Sequence, residues 1–274
     1  LPETAVSVSA SITGNNELAV SNVVGSNIFN LMVVIGVCAL IATVNVAKET
    51  VKRDVPFSLI CAGLLMLLGI AGIGDKSGMI LGHLDGVILI ALFTCYIVYM
   101  VKIALKASKE GKKVDIEGDS EGEIKLTSVP MSILFIVGGA IAIAVGGDVT
   151  VDAASRIAGD LGMSQTLIGL TIVSIGTSLP ELVTSIVAAK KNEVDMALGN
   201  AIGSNVFNIL FVLGIAGAIS PMAFLTENVI DIVILLVFSL IVWLFAWTKK
   251  EIKRGEGLIM VLLYVLYVVY ICMR

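Results

Sequence analysis

The sequence predicts an all-α polytopic membrane protein built as an inverted-topology repeat, with five helices in each half. Three observations predict it. Only 15% of the residues are charged and 57% are hydrophobic, giving a mean hydropathy of +1.02, whereas about a quarter of a soluble domain is charged. One stretch also occurs twice: Leu1-Pro2-Glu3 leads through Gly25-Ser26-Asn27-Ile28-Phe29-Asn30 to Gly36, and Leu179-Pro180-Glu181 leads through Gly203-Ser204-Asn205-Val206-Phe207-Asn208 to Gly214. Finally, Lys and Arg divide unevenly among the connections, and that division sets the two copies in opposite senses across a bilayer.

Apolar runs of the length that crosses a bilayer, about 20 residues, fall near 18–43, 56–74, 84–105, 129–148, 161–190, 195–220, 226–248 and 256–273. A shorter run near 2–13 reads as the second half of a broken helix. Within 161–190 the break is Gly176-Thr177-Ser178-Leu179-Pro180, where Pro180 lacks an N–H and frees main-chain carbonyls. Taking the second copy as template, the first lacks counterparts of a spanning helix and of the approach to Leu179. About fifty upstream residues are therefore expected, with Gly-Thr-Ser immediately before Leu1. That gives ten helices in the intact protein and about eight and a half here. No signal peptide is visible. The halves run 1–106 and 129–274, joined by a linker over 107–128.

Orientation follows from the basic residues. Connections near 48–54, 102–125, 190–191 and 249–254 hold Lys48, Lys52, Arg53, Lys190, Lys191, Lys249, Lys250, Lys253, Arg254 and the Lys cluster of the linker. Only Lys76, Arg156 and Arg274 lie opposite. The first set is expected to be cytoplasmic and the C-terminus outside. Glu3 then heads outward and Glu181 inward, which requires an odd number of helices per half. The linker carries Asp115, Glu117, Asp119, Glu121 and Glu123, but Gly118 interrupts their spacing and no EF-hand loop is present, so it reads as a solvated connection.

The chemistry centres on Glu3 and Glu181, which sit in hydrocarbon where an acidic group costs about 2.5–3.5 kcal/mol on insertion scales. No basic residue lies at matching depth, and the two occupy equivalent repeat positions beside a Pro. Asn22, Ser26 and Asn30 recur every four residues, as do Asn200, Ser204 and Asn208, so each trio forms one polar stripe on an apolar helix. Alone such stripes serve helix packing; twice beside a Glu they become candidate ligands. Gly25, Gly36, Gly203 and Gly214 read as close-approach positions. Two carboxylates with amide, hydroxyl and freed carbonyl oxygens form a doubly negative cage of oxygens, which suits calcium or sodium better than magnesium or zinc. Cys38, Cys61, Cys95 and Cys272 read as buried small hydrophobes, and His83 as an interfacial residue.

These residues also carry a resemblance. The doubled Leu-Pro-Glu and Gly-Ser-Asn-(Ile/Val)-Phe-Asn motifs, with Gly176-Thr177-Ser178 before the second, resemble the alpha repeats of the calcium/cation antiporter superfamily, and among them the prokaryotic sodium/calcium exchangers. The resemblance covers essentially the whole chain. It implies that Glu3 and Glu181 bind the transported ions, that Thr177 contributes its main-chain carbonyl, that Ser178 lines the sodium sites, and that Ser26, Asn30, Ser204 and Asn208 line the pathway. Thr177, Glu3 and Glu181 are the implied calcium ligands. Sodium-coupled relatives can carry Asp at the position of Asn208; here both repeats end in Asn, leaving two central carboxylates rather than three.

The function expected is exchange of calcium for sodium by alternating access in a prokaryotic plasma (inner) membrane, with no cofactor beyond the transported calcium and sodium ions. A proton/calcium exchanger and a cation channel are the alternatives. No basic patch suggests nucleic acid, and the chain has no His-Glu-x-x-His, no nucleophile elbow and no second His to serve as a base, so an enzyme is not expected.

Overall fold

The computed structural model describes residues 2–72, 79–109, 129–191 and 194–274. Lys76 and most of the linker lie outside the described residues. The described residues are helical almost throughout: α1 (Pro2–Ile12), α2 (Asn16–Ile41), α3 (Thr50–Ala71), α4 (His83–Lys109), α5 (Val129–Asp160), α6 (Gln165–Thr177), α7 (Leu179–Lys190), α8 (194–219), α9 (Thr226–Lys249) and α10 (Arg254–Met273). Six helices among the described residues are long and apolar enough to cross a membrane, and α6 with α7, bent by 42°, can form a seventh span. This is an all-α multi-pass membrane protein.

Boundaries follow local chemistry. Helix α3 opens with a π turn over Thr50–Asp54, carries Pro56 just after it, and stops at Gly72, whose φ of 55° lets its N–H close on Leu68 O at 2.9 Å. Ser164 caps α6 by accepting the Leu167 N–H at 3.2 Å. The α6–α7 break falls at Ser178, two residues ahead of Pro180. Helix α5 differs from expectation. It was expected to end near Asp148 and instead continues to Asp160, 32 residues in all. Gly146, Gly147 and Asp148 end the apolar run, but a glycine weakens a helix by only about 1 kcal/mol and no Pro stops it, and Arg156 meets Asp152 one turn away at 3.8 Å.

Two copies of one arrangement are visible. Helices α1, α2, α3 and α4 correspond to α7, α8, α9 and α10. Helix α2 opens a π turn at Asn30 and α8 opens the same turn at Asn208. Two-residue strands complete the pairing: β1 (Val44–Asn45) runs antiparallel to β4 (Glu251–Ile252), and β2 (Ile80–Leu81) antiparallel to β3 (Met222–Ala223). Each copy thus lends one strand to each sheet. The first sheet gathers the lysine-bearing connections, with Lys48, Lys52 and Lys250 around one pocket. Toward the second sheet, Asn16 Nδ2 donates to Pro221 O at 2.8 Å. Arg274 forks onto the buried Asp231 at 2.9 and 2.8 Å.

Helices α2 and α8 form the centre. Residues 19–32 of α2 are buried without a break, and α10 packs on α2 as α4 packs on α8. Glycines set those two crossings. A Cβ on Gly86 would stand 2.6 Å from Gly214 O, and one on Gly257 would stand 2.6 Å from Gly36 O, so main chain meets main chain at both. Gly25 is equally tight, with Leu170 O at 2.8 Å from a built Cβ, but Gly203 meets nothing within 4 Å. Close approach is met at Gly25, where α6 covers this face of α2; the corresponding face of α8 borders a cavity. Cys38 and Cys61 are buried as expected. Cys95 and Cys272 are exposed, as an apolar thiol can be on a helix face turned to lipid.

Candidate functional site

The cavity that borders α8 has a volume of about 350 Å³ and is lined by Glu3, Glu181, Asn200, Ser204, Phe207 and Asn208, with Gly199 and Gly203 at its wall. Glu3 stands in the first turn of α1 and Glu181 in the first turn of α7, so the two Pro-led helices deliver one carboxylate each. Glu3 is 3% exposed. Glu181 Oε2 is buried without a hydrogen-bond partner, a costly state for a carboxylate unless something else meets it.

Of the eight residues that the family resemblance singles out, Glu3, Glu181, Ser204 and Asn208 line this cavity, as does Asn200 of the polar stripe. The other four form a buried polar layer behind it. Ser178 Oγ donates to Glu3 Oε1 at 3.2 Å, joining the α6–α7 break to the first-copy carboxylate. Thr177 Oγ1 donates to Asn22 Oδ1 at 3.3 Å and shares a 3.3 Å hydrogen bond with Ser26 Oγ. Asn22 Nδ2 in turn donates to Ser7 Oγ at 3.0 Å. These bonds stitch α1, α2 and α6 into one wall. Asn30 reaches across to the other copy, its Nδ2 donating to Asn205 Oδ1 at 3.2 Å, while its own Oδ1 is buried without a partner.

Sequence reasoning missed Asn27 and Asn205. Both are buried, at 0% and 1% exposure, where α2 crosses α8. Asn27 Nδ2 donates to Asn205 O at 3.2 Å and Asn205 Nδ2 donates to Asn27 O at 3.1 Å. Asn208 Nδ2 donates to Asn27 Oδ1 at 3.1 Å. The signal was present, since each stands beside the Ser of the doubled Gly-Ser-Asn motif, but both lie one position off the polar stripe. His83 Nδ1 lies 2.9 Å from Ala218 O at the exposed start of α4, away from the cavity.

What this arrangement can do is bounded by its lining. The polar groups on the cavity are two carboxyls, two amides and one hydroxyl, a set of oxygen donors with no imidazole or thiol, which matches hard cations.

Comparison with known proteins agrees. The family model described as sodium/calcium exchanger protein matches residues 1–102 and 131–273. An inner membrane protein of Escherichia coli, YrbG, is 31% identical over 263 residues, covering 94% of this chain and 77% of the relative. The sodium/calcium exchanger MaX1 of Methanosarcina acetivorans is 29% identical over 301 residues, covering 98% and 84%. A solved structure of the sodium-calcium exchanger NCX_Mj, soaked with Na⁺ and Sr²⁺, superposes with a TM-score of 0.75 at 31% identity, covering 98% of this chain and 82% of that one. With the family model spanning nearly the whole chain and the fold shared end to end, the chain belongs to the sodium/calcium exchanger protein family: it is a multi-pass membrane cation antiporter and not an enzyme.

Proposed function

We propose that the protein exchanges calcium for sodium by alternating access at a central site held by Glu3 and Glu181. The observation that carries this reading is the delivery of one carboxylate from each copy to a single cavity lined otherwise by amide and hydroxyl groups. Two carboxylates neutralise one calcium, or sodium ions on overlapping oxygens. Empty, the doubly charged site resists crossing between its two facing states, which couples the fluxes. The external sodium gradient biases the states only through differential binding.

Around the two carboxylates, Ser204 and Asn208 are assigned to the cavity side of the site and Ser26, Asn30, Thr177 and Ser178 to its buried side, with the Thr177 main-chain carbonyl as a further calcium ligand. Calcium and sodium are cargo, and no resident cofactor is assigned. The halves 1–106 and 129–274 act as the two opposed units, with 107–128 as a cytoplasmic linker. The lysine-rich face is placed inward, in a prokaryotic plasma membrane, which puts the C-terminus outside.

Proteoliposomes holding the full-length protein test the coupling. An imposed sodium gradient is expected to drive calcium uphill, and an imposed pH gradient is not. Calcium movement driven by pH alone would transfer the assignment to proton exchange, and calcium leak needing no counter-ion would transfer it to a channel. Ser178→Ala removes the hydroxyl that holds Glu3 Oε1. A hydrogen bond to a charged group contributes about 1.5–3 kcal/mol, so the half-saturating calcium concentration is expected to rise roughly tenfold or more, read from initial uptake rates.

A further inference from the structure

The four-asparagine cluster between α2 and α8 fixes which way two amides point, and it does so from the main chain outward. A main-chain carbonyl only accepts, so the side chain facing Asn205 O must present its NH2; Asn27 does this at 3.2 Å. Asn27 Oδ1 is thereby turned to Asn208, which must answer with its own NH2, as it does at 3.1 Å. Asn208 is left with its oxygen for the cavity that it lines. The mirror chain runs from Asn27 O through Asn205 to Asn30 Nδ2, and Asn30 Oδ1 is the atom left buried and unpartnered. An unrestrained amide can turn either its oxygen or its NH2 toward an ion, and an NH2 repels a cation.

We propose that Asn27 and Asn205 are positioning residues: each locks the amide of the last motif Asn in the opposite copy so that its oxygen, and not its NH2, faces the transported cation. The proposal rests on the assignment of the cavity as the ion site. Because the locks cross between copies, each half prepares a ligand of the other. The opening of a π turn at both Asn30 and Asn208 places the locked amides at corresponding points of the two helices.

The test is calcium binding to the purified full-length protein. Asn27→Leu keeps the branched heavy-atom skeleton of the side chain, though not its volume, and removes the lock on Asn208. Its calcium Kd is expected to rise about tenfold, while in an Asn208→Ala background Asn27→Leu is expected to add no further rise, since it acts through an oxygen already gone. Asn205→Leu with Asn30→Ala should behave alike. Effects that multiply in the double variants, or an unchanged Kd in both single Leu variants, would overturn the proposal.

Infrared difference spectra of the wild type cover the case in which the Leu variants fail to fold. Calcium is expected to move a side-chain amide C=O band that Asn208→Ala diminishes, and an amide C=O region unmoved by calcium would overturn the proposal. Calcium binding that survives Glu3→Gln and Glu181→Gln would instead strike the site assignment, so the two failures are distinguishable.

Discussion

Glu181→Gln is expected to abolish calcium exchange in the full-length protein while leaving it folded, and Glu3→Gln to do the same. At roughly 4 Å and an effective dielectric of about 20, each pair of unit charges contributes about 4 kcal/mol. Removing one carboxylate from a divalent ion therefore forfeits at least about a hundredfold in affinity. The fold has little to lose. Glu181 Oε2 has no hydrogen-bond partner to forfeit, and in Glu3→Gln the amide oxygen can still accept from Ser178 Oγ as Glu3 Oε1 does at 3.2 Å. Initial rates of sodium-driven calcium uptake check this, with monodisperse elution as the folding control. Uptake within a few-fold of wild type in either variant contradicts the site.

Gly86→Val and Gly257→Val are expected to prevent assembly. Both residues sit where helices cross main chain on main chain, with built Cβ positions 2.6 Å from Gly214 O and from Gly36 O respectively. Overpacking against side chains costs about 1–3 kcal/mol, but here the obstacle is a carbonyl that cannot rotate away, so the crossings must separate. Loss of folded protein on size exclusion, or a large fall in thermal midpoint, is the expected result. Gly63→Val is the matched control, since a Cβ there meets nothing within 4 Å. Equal damage from all three would show that valine harms these helices generally rather than at the crossings.

Much of this was legible in the sequence because a bilayer imposes simple demands. Long apolar runs located α2, α3, α4, α8, α9 and α10, and the doubled motif paired Glu3 with Glu181 before any geometry was known. The pairing of β1 with β4 brings together two connections, near 48–54 and 249–254, that the Lys and Arg distribution had grouped. Hydropathy reports only the part of a helix that lipid demands, so it stopped α5 near Asp148 when hydrogen bonding carries it to Asp160. The π turns at Asn30 and Asn208 have no residue signature of their own. The Asn27–Asn205 exchange depends on how α2 crosses α8, and spacing along one helix could not show it.

The central claim is that one calcium is shared by two glutamates from opposed repeats and is displaced by sodium. Equilibrium binding of radioactive calcium to the purified full-length protein, titrated with sodium, tests it most directly. The account predicts one calcium per chain, competed off by sodium and lost in both Glu3→Gln and Glu181→Gln. Calcium retained at wild-type affinity in either variant, or bound indifferently to sodium, would contradict it.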